Sequence, residues 1–202
     1  MHNAGKLLGV KNVLAKRATR NQLRIIGGKW RGRKIHFPTA ESLRPTPDRV
    51  RETLFNWLAG WVEGATCVDL FAGSGALGFE AGSRGAAKVI LVDKDTQVGT
   101  ALKTAKQELA ADNIEILAST AEAAISRLSA TDILFLDPPF NYPDLNALLQ
   151  VIGESKILNP GAWIYVESAA DRAIVAPPNW HMHRHKQAGQ VAYRLFQNSE
   201  PQ

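Results

Sequence analysis

Residues 137–140 read D-P-P-F and close the apolar run I-L-F-L. An ionised Asp137 is an acceptor-only group. Pro138 and Pro139 fix the backbone and present carbonyls with no competing N–H. Neither proline can donate to a sheet ladder, so a central strand must stop here. Phe140 adds a flat apolar face. Together these groups suit an amine attached to a planar ring or amide. Asp137 and the Pro138 carbonyl accept its two N–H bonds, and the Phe140 ring stacks on the plane. Such an amine is a poor nucleophile, because its lone pair is delocalised. Acceptors that draw it out of plane restore the lone pair and steady the positive charge that develops on attack. The chemistry implied is transfer of a group onto nitrogen.

A second set lies upstream. D-L-F-A-G-S-G-A-L-G at 69–78 places Gly73, Gly75 and Gly78 in a G-x-G-x-x-G spacing between an apolar run and a helix-like segment. This pattern lets a ligand touch backbone at a helix start and is shared by several nucleotide-like cofactors. Asp93 ends the next apolar run, 20 residues after Gly73, where it can bond ribose hydroxyls. Asp69, at the loop's beginning, would repel a pyrophosphate but suits the ammonium and sulfonium of S-adenosylmethionine. The ligand-contacting candidates here are Asp69, Phe71, Ala72, Gly73, Ser74, Gly75, Asp93 and Lys94.

These residues need a scaffold that brings strand ends together. From residue 66 onward, short apolar runs (66–71, 88–93, 114–117, 132–137 and 162–167) alternate with helix-like segments, the clearest being 95–111. Such alternation predicts a parallel sheet covered on both faces. The end departs from it: 179–197 has no helical period and breaks at Q-A-G-Q, which predicts a terminal antiparallel hairpin. Five parallel strands plus that hairpin make an α/β, Rossmann-like, seven-stranded methyltransferase sheet, whereas an NAD-binding sheet would end on a sixth parallel strand. Before it, residues 44–61 predict a helix with Thr46 as N-cap, Pro47 in first position, and Val50, Leu54, Trp57, Leu58 and Trp61 on one apolar face.

Charge divides the chain. Residues 1–40 hold 10 Lys and Arg and no acid, while the remaining 162 hold 14 basic and 19 acidic residues. A basic arm on a mildly acidic body points to a polyanion partner. Trp30, His36 and Phe37 interleave with the basic residues, which favours nucleic acid. The division expected is a basic arm over 1–22, a β-hairpin over 23–43 that binds RNA, and a main domain over 44–202. The single Cys67 excludes an internal disulfide and a multi-cysteine zinc site. With no apolar window of membrane length and no secretory leader pattern, the chain reads as a cytoplasmic monomer.

Taken together, R-P-T-P-D-R-V-R-E-T-L-F-N-W-L, D-L-F-A-G-S-G-A-L-G-F-E-A, V-D-K-D, L-D-P-P-F, I-Y-V-E-S and A-G-Q-V-A-Y-R-L-F-Q resemble the RsmD family over residues 23–197. The resemblance implies methylation of the N2 of a guanine in 16S ribosomal RNA, with S-adenosylmethionine as donor and the 30S subunit or a late assembly intermediate as substrate. By position, it places Asp69, Gly73, Gly75 and Asp93 on the cofactor and Ala121 near the adenine. Thr120 stands where related enzymes often have Asp or Asn. Asp137, Pro138, Pro139 and Phe140 form the target-base site. Arg44, Thr46, Arg49 and Arg51 would lie around the entrance and the RNA, with Arg24, Lys29, Arg31, Arg33 and Lys34 supplying phosphate contacts.

Other readings remain open on the residues alone. D-P-P-F also serves adenine-N6 or glutamine-N5 methylation. The glycine loop and Asp93 suit an NAD-dependent oxidoreductase, which leaves D-P-P-F and the basic arm unexplained. A non-catalytic RNA-binding assembly factor would not need Asp137. His181, His183 and His185 alternate and so share a face on a strand; a solvated or RNA-facing strand is the reading, and no metal is expected. Glu167 ends a strand, where it lines the base pocket or is simply solvated.

Overall fold

The computed structural model describes residues 21–38 and 46–199. Residues 1–20 of the basic arm, the end of the 23–43 segment and Arg44 lie outside the described residues. The first strands, β1 (Asn21–Arg24) and β2 (Lys34–Phe37), pair antiparallel. Leu23, Ile35 and Phe37 turn inward and their neighbours outward, the period of two that a half-buried ribbon requires.

Seven strands form the main sheet: β3 (Thr66–Asp69), β4 (Lys88–Asp93), β5 (Ile114–Ala118), β6 (Thr131–Leu136), β7 (Leu158–Ala169), β8 (Trp180–Ala188) and β9 (Val191–Asn198). Their order is β5-β4-β3-β6-β7-β9-β8. Pairing is parallel from β5 through β7, and β9 runs antiparallel to both its neighbours. Helices α1 (Asp48–Trp57), α2 (Ala76–Ser83), α3 (Thr96–Leu109), α4 (Ala121–Ile125) and α5 (Leu145–Glu154) complete the fold. One apolar cluster, with Phe55, Phe79, Phe135 and Tyr165, covers one face of the sheet; another, with Leu70, Leu134, Leu149 and Ile164, covers the other. Burial on both faces is why β3, β6 and the second half of β7 read as apolar runs. The chain winds one way from β3 through β4 and the other way from β6 onward, so the carboxyl ends of β3 and β6 flank the crevice where open α/β sheets bind ligands.

Several local expectations change. The first parallel strand stops at Asp69, and that of 162–167 extends over Leu158–Ala169. Helix α1 begins after Pro47, with no side-chain cap, because the Thr46 hydroxyl is engaged elsewhere. The same helix ends at Trp57, which leaves Trp61 beyond it and exposed. Trp30 and Phe37 are buried in the core, so they cannot interleave with basic side chains as a stacking surface. A register shift falls between Met182 and Arg184, leaving His183 as the additional residue and breaking the alternation of the histidines. His183 instead packs edge-on against Trp163, 5.0 Å between centroids. Among the described residues no group of three or more His, Cys, Asp or Glu is arranged to hold a metal ion.

Candidate active site

Strand ends bring the acids together. Asp69 ends β3, Asp93 ends β4, Asp137 follows β6 directly and Glu167 lies near the end of β7. Gly75 adopts φ +78°, which only glycine takes without strain, and it starts α2. A Cβ on Gly78 would stand 2.0 Å from a Leu91 methyl, so the third glycine allows α2 to lie close on β4. The Gly73 N–H donates to Asp93 Oδ2 at 3.0 Å, and the Phe71 N–H donates to Asp69 Oδ1 at 3.3 Å. The glycine loop is thereby tied to both strand-end acids.

At the D-P-P-F turn, Asp137 Oδ2 accepts a hydrogen bond from the Thr46 hydroxyl at 3.0 Å. Thr46, expected at the RNA, is buried against the acid of the base site. Phe140 is more than half exposed, so its ring is available to a flat ligand. Two residues on, the Tyr142 ring stands edge-on to Phe71 at 5.2 Å, and its hydroxyl donates to Glu122 on α4. Glu122 is held below the usual carboxylate range by that bond. This bridge joins the D-P-P-F turn to the 69–78 loop; the sequence offered Tyr142 as a stacking or loop-packing residue, and gave no sign of Glu122. Thr120 accepts the Ala123 N–H at 3.3 Å and so caps α4, leaving Ala121 buried beside it. Lys94 is exposed.

The electrostatics follow from burial. Asp69 is pushed up to about 7, first by burial and then by the Asp137 charge. Asp137 is pushed up to about 6 by burial, against the opposing bond from Thr46. Glu167 is pushed up to about 8 by burial and by the Asp137 charge, while the Tyr165 hydroxyl, 2.7 Å from Oε2, opposes this. Among the described residues none of the three has an ion-pair partner. A row of acids without cations, Asp69 and Glu167 buried and Asp137 half-buried, favours a positively charged ligand and disfavours a pyrophosphate. The donor set therefore fits the ammonium and sulfonium of S-adenosylmethionine better than a dinucleotide.

The basic candidates separate into two groups. Arg24, Lys29, Arg31, Arg33, Lys34 and Arg49 are exposed. Arg33 also donates to the Glu108 carbonyl at 2.6 Å, and the Lys29 ammonium lies 4.4 Å from the Trp30 ring centroid. Arg51 is different: it is fully buried and cannot reach RNA. Its guanidinium meets Asp48 at 2.7 Å, Glu80 at 3.4 Å and the Arg24 carbonyl at 3.0 Å. A cleft of about 420 Å³ runs between the hairpin and α1, with Arg24, Lys34 and Thr46 among its walls. Its floor thus reaches the residue that holds Asp137.

A family model described as "Conserved hypothetical protein 95" matches residues 23–197. The ribosomal RNA small subunit methyltransferase D of Escherichia coli is 47% identical over 178 residues, covering 87% of this chain and 90% of that protein. The chain belongs to the RsmD family. The Haemophilus influenzae protein of the same description is 41% identical over 184 residues, 89% of this chain and 95% of that one. Among solved structures, the Escherichia coli protein yhhF, provisionally described as a methyltransferase, superposes with a TM-score of 0.83 at 44% identity, over 89% of this chain and 99% of that one. The RsmD-family chain is thus a methyltransferase in fold and in kinship, and the resemblance of its motifs stands.

Proposed function

We propose that this chain transfers a methyl group from S-adenosylmethionine to the exocyclic N2 of one guanine in 16S ribosomal RNA, within the 30S subunit or a late assembly intermediate. The observation that carries the reading is the Thr46-held Asp137 carboxylate and the open Phe140 face, set beside a cation-seeking row of acids. Bound S-adenosylmethionine supplies an electrophilic methyl group and a positive charge. Asp69 and the 73–75 loop hold its cationic end, and Asp93 takes ribose hydroxyls. Asp137 and the Pro138 carbonyl accept the N–H bonds of the base, and Phe140 stacks on its ring. Asp137 then takes the proton that nitrogen loses as the new N–C bond forms. The target must be unpaired or flipped, since a stacked base hides its amine from a cleft. Arg24, Lys29, Arg31, Arg33, Lys34 and Arg49 bind phosphates along the hairpin and cleft. The enzyme works as a cytoplasmic monomer.

The test is transfer of label from S-adenosylmethionine to 30S particles taken from cells lacking this protein, followed by nucleoside digestion. N2-methylguanosine at one position is the expected product. Label in N6-methyladenosine would overturn the base, and no label on the particles, despite cofactor binding, would overturn RNA as substrate.

A further inference from the structure

We propose that Glu167 reads the N1–H of the target guanine beside the Asp137 carboxylate that takes its amine, so that two neighbouring acids select guanine over adenine. The inference rests on the function proposed above and assigns the base discrimination within it.

Position is the first support. Strands β6 and β7 are parallel neighbours in register at Leu136 and Val166, so Asp137 and Glu167 are the next pair along. Neighbouring strands lie about 4.8 Å apart. Each acid comes two residues after Phe135 or Tyr165, which places both on the same face of the sheet. Both side chains are anchored alike. Thr46 donates to one Asp137 oxygen at 3.0 Å, and Tyr165 donates to one Glu167 oxygen at 2.7 Å. Among the described residues, no other hydrogen bond reaches either carboxyl. Two oriented carboxyl groups therefore stand side by side at the D-P-P-F turn.

The chemistry of base edges supplies the second support. Guanine presents N1–H directly beside its N2 amine, two adjacent donors. Adenine pairs its amine with an N1 acceptor, cytosine pairs its amine with an N3 acceptor, and a glutamine amide pairs its NH₂ with its own carbonyl. Paired acceptors match guanine alone. A purely structural role explains Glu167 poorly. A buried carboxyl without a cation disfavours folding, and a strand-end glutamine would satisfy Tyr165 equally well. Burial and the Asp137 charge hold the Glu167 proton tightly, and two donors on a ligand relieve that opposition to ionisation.

The experiment compares wild type, Glu167→Ala and Glu167→Gln on 30S particles reconstituted with 16S RNA ligated to carry guanine or 2,6-diaminopurine at the methylated position. Diaminopurine keeps the N2 amine and replaces N1–H by an acceptor. Wild type is expected to favour guanine in kcat/KM by about 10–100-fold, the range of one good base-edge contact. Glu167→Ala is expected to lose most of that ratio while still methylating guanine at N2. Glu167→Gln, whose one oxygen stays on the Tyr165 hydroxyl, turns a donor NH₂ toward the base and is expected to shift the ratio towards diaminopurine. An unchanged ratio in both variants, with guanine still methylated at N2, would overturn this inference alone. Wild type that puts no methyl group on guanine N2 would overturn the proposed function and this inference with it.

Discussion

Replacing Asp69 by Asn should make the ligand-free protein more stable and unable to hold its cofactor. The Asp69 carboxyl rises from 3.8 to about 7 on folding, mainly through burial. At 1.36 kcal/mol for each pKa unit, ionising it in the folded chain costs up to about 4 kcal/mol. Below pH 3.8 both folded and unfolded chains carry the proton, and the penalty is absent. It accumulates as pH rises, because the unfolded chain ionises first, and it is complete above about pH 7. Asparagine keeps the acceptor for the Phe71 N–H but buries an amide NH₂, at a cost of about 1–3 kcal/mol. The net gain at pH 8 is about 1–3 kcal/mol, or about 3–8 °C in Tm for a chain of this size. Melting curves at pH 5 and pH 8, with and without S-adenosylmethionine, check it. Wild type should gain stability from the cofactor, by about 2.7 kcal/mol at a hundredfold excess over Kd, and the variant should gain nothing. A variant less stable than wild type at pH 8, or a difference that does not move with pH, would refute the account of Asp69 as an uncompensated charge awaiting a cation.

Methylation rate should rise with pH through about 6, since Asp137 accepts the amine only when ionised. Thr46→Val removes the bond that favours that ionised form, so the acid limb of the kcat profile should move to higher pH, and Thr46→Ser should restore it. Arg31→Ala with Arg33→Ala should weaken RNA binding, lower the slope of log K against log salt by about 1–2, and leave cofactor Kd unchanged in calorimetry. Arg51→Met should cost about 3–5 kcal/mol in denaturant unfolding, because Glu80 is left buried with one cation fewer.

The centre of the sheet was legible because β3, β6 and the second half of β7 are buried on both faces and so write short apolar runs. The D-P-P-F turn was legible as a strand end because two prolines after an acid cannot continue a sheet ladder, and β6 stops at Leu136. What escaped shares one feature: a partner distant in sequence. Arg49 and Arg51 look alike in the motif, yet one is exposed and the other meets Glu80, 29 residues away. Sequence states what burying a charge costs, not whether a counter-charge waits on another helix. Thr46 looked like an ordinary helix cap, and only the fold shows Asp137 91 residues on. Trp30 looked like a stacking residue among basic neighbours, but its backbone N–H meets Ser83 and its ring fills the core beside α2.

Those distant partners converge on one helix, and this bears on how an RNA platform and a methyl-transfer site work as one. Helix α2 begins at the glycine loop, at Gly75. One turn along, the buried Glu80 carboxylate accepts the N–H groups of Ile26 and Gly27, both at 2.8 Å, and meets Arg51 and Arg84. Ser83 then accepts the Trp30 N–H at 2.9 Å, and Gly28 lies so close that a Cβ there would stand 1.8 Å from the Ser83 carbonyl. The hairpin loop is therefore fixed to the helix that presents the cofactor loop. Arg51 continues the link to α1, whose entry residue Thr46 holds Asp137. Under the proposed function, phosphates bound by the exposed arginines and lysines of the hairpin would stand at a set distance from Asp137. A flexible hairpin would supply affinity without register. A hairpin fixed through Glu80 supplies both, and that register is what choosing one nucleotide among many chemically identical ones requires.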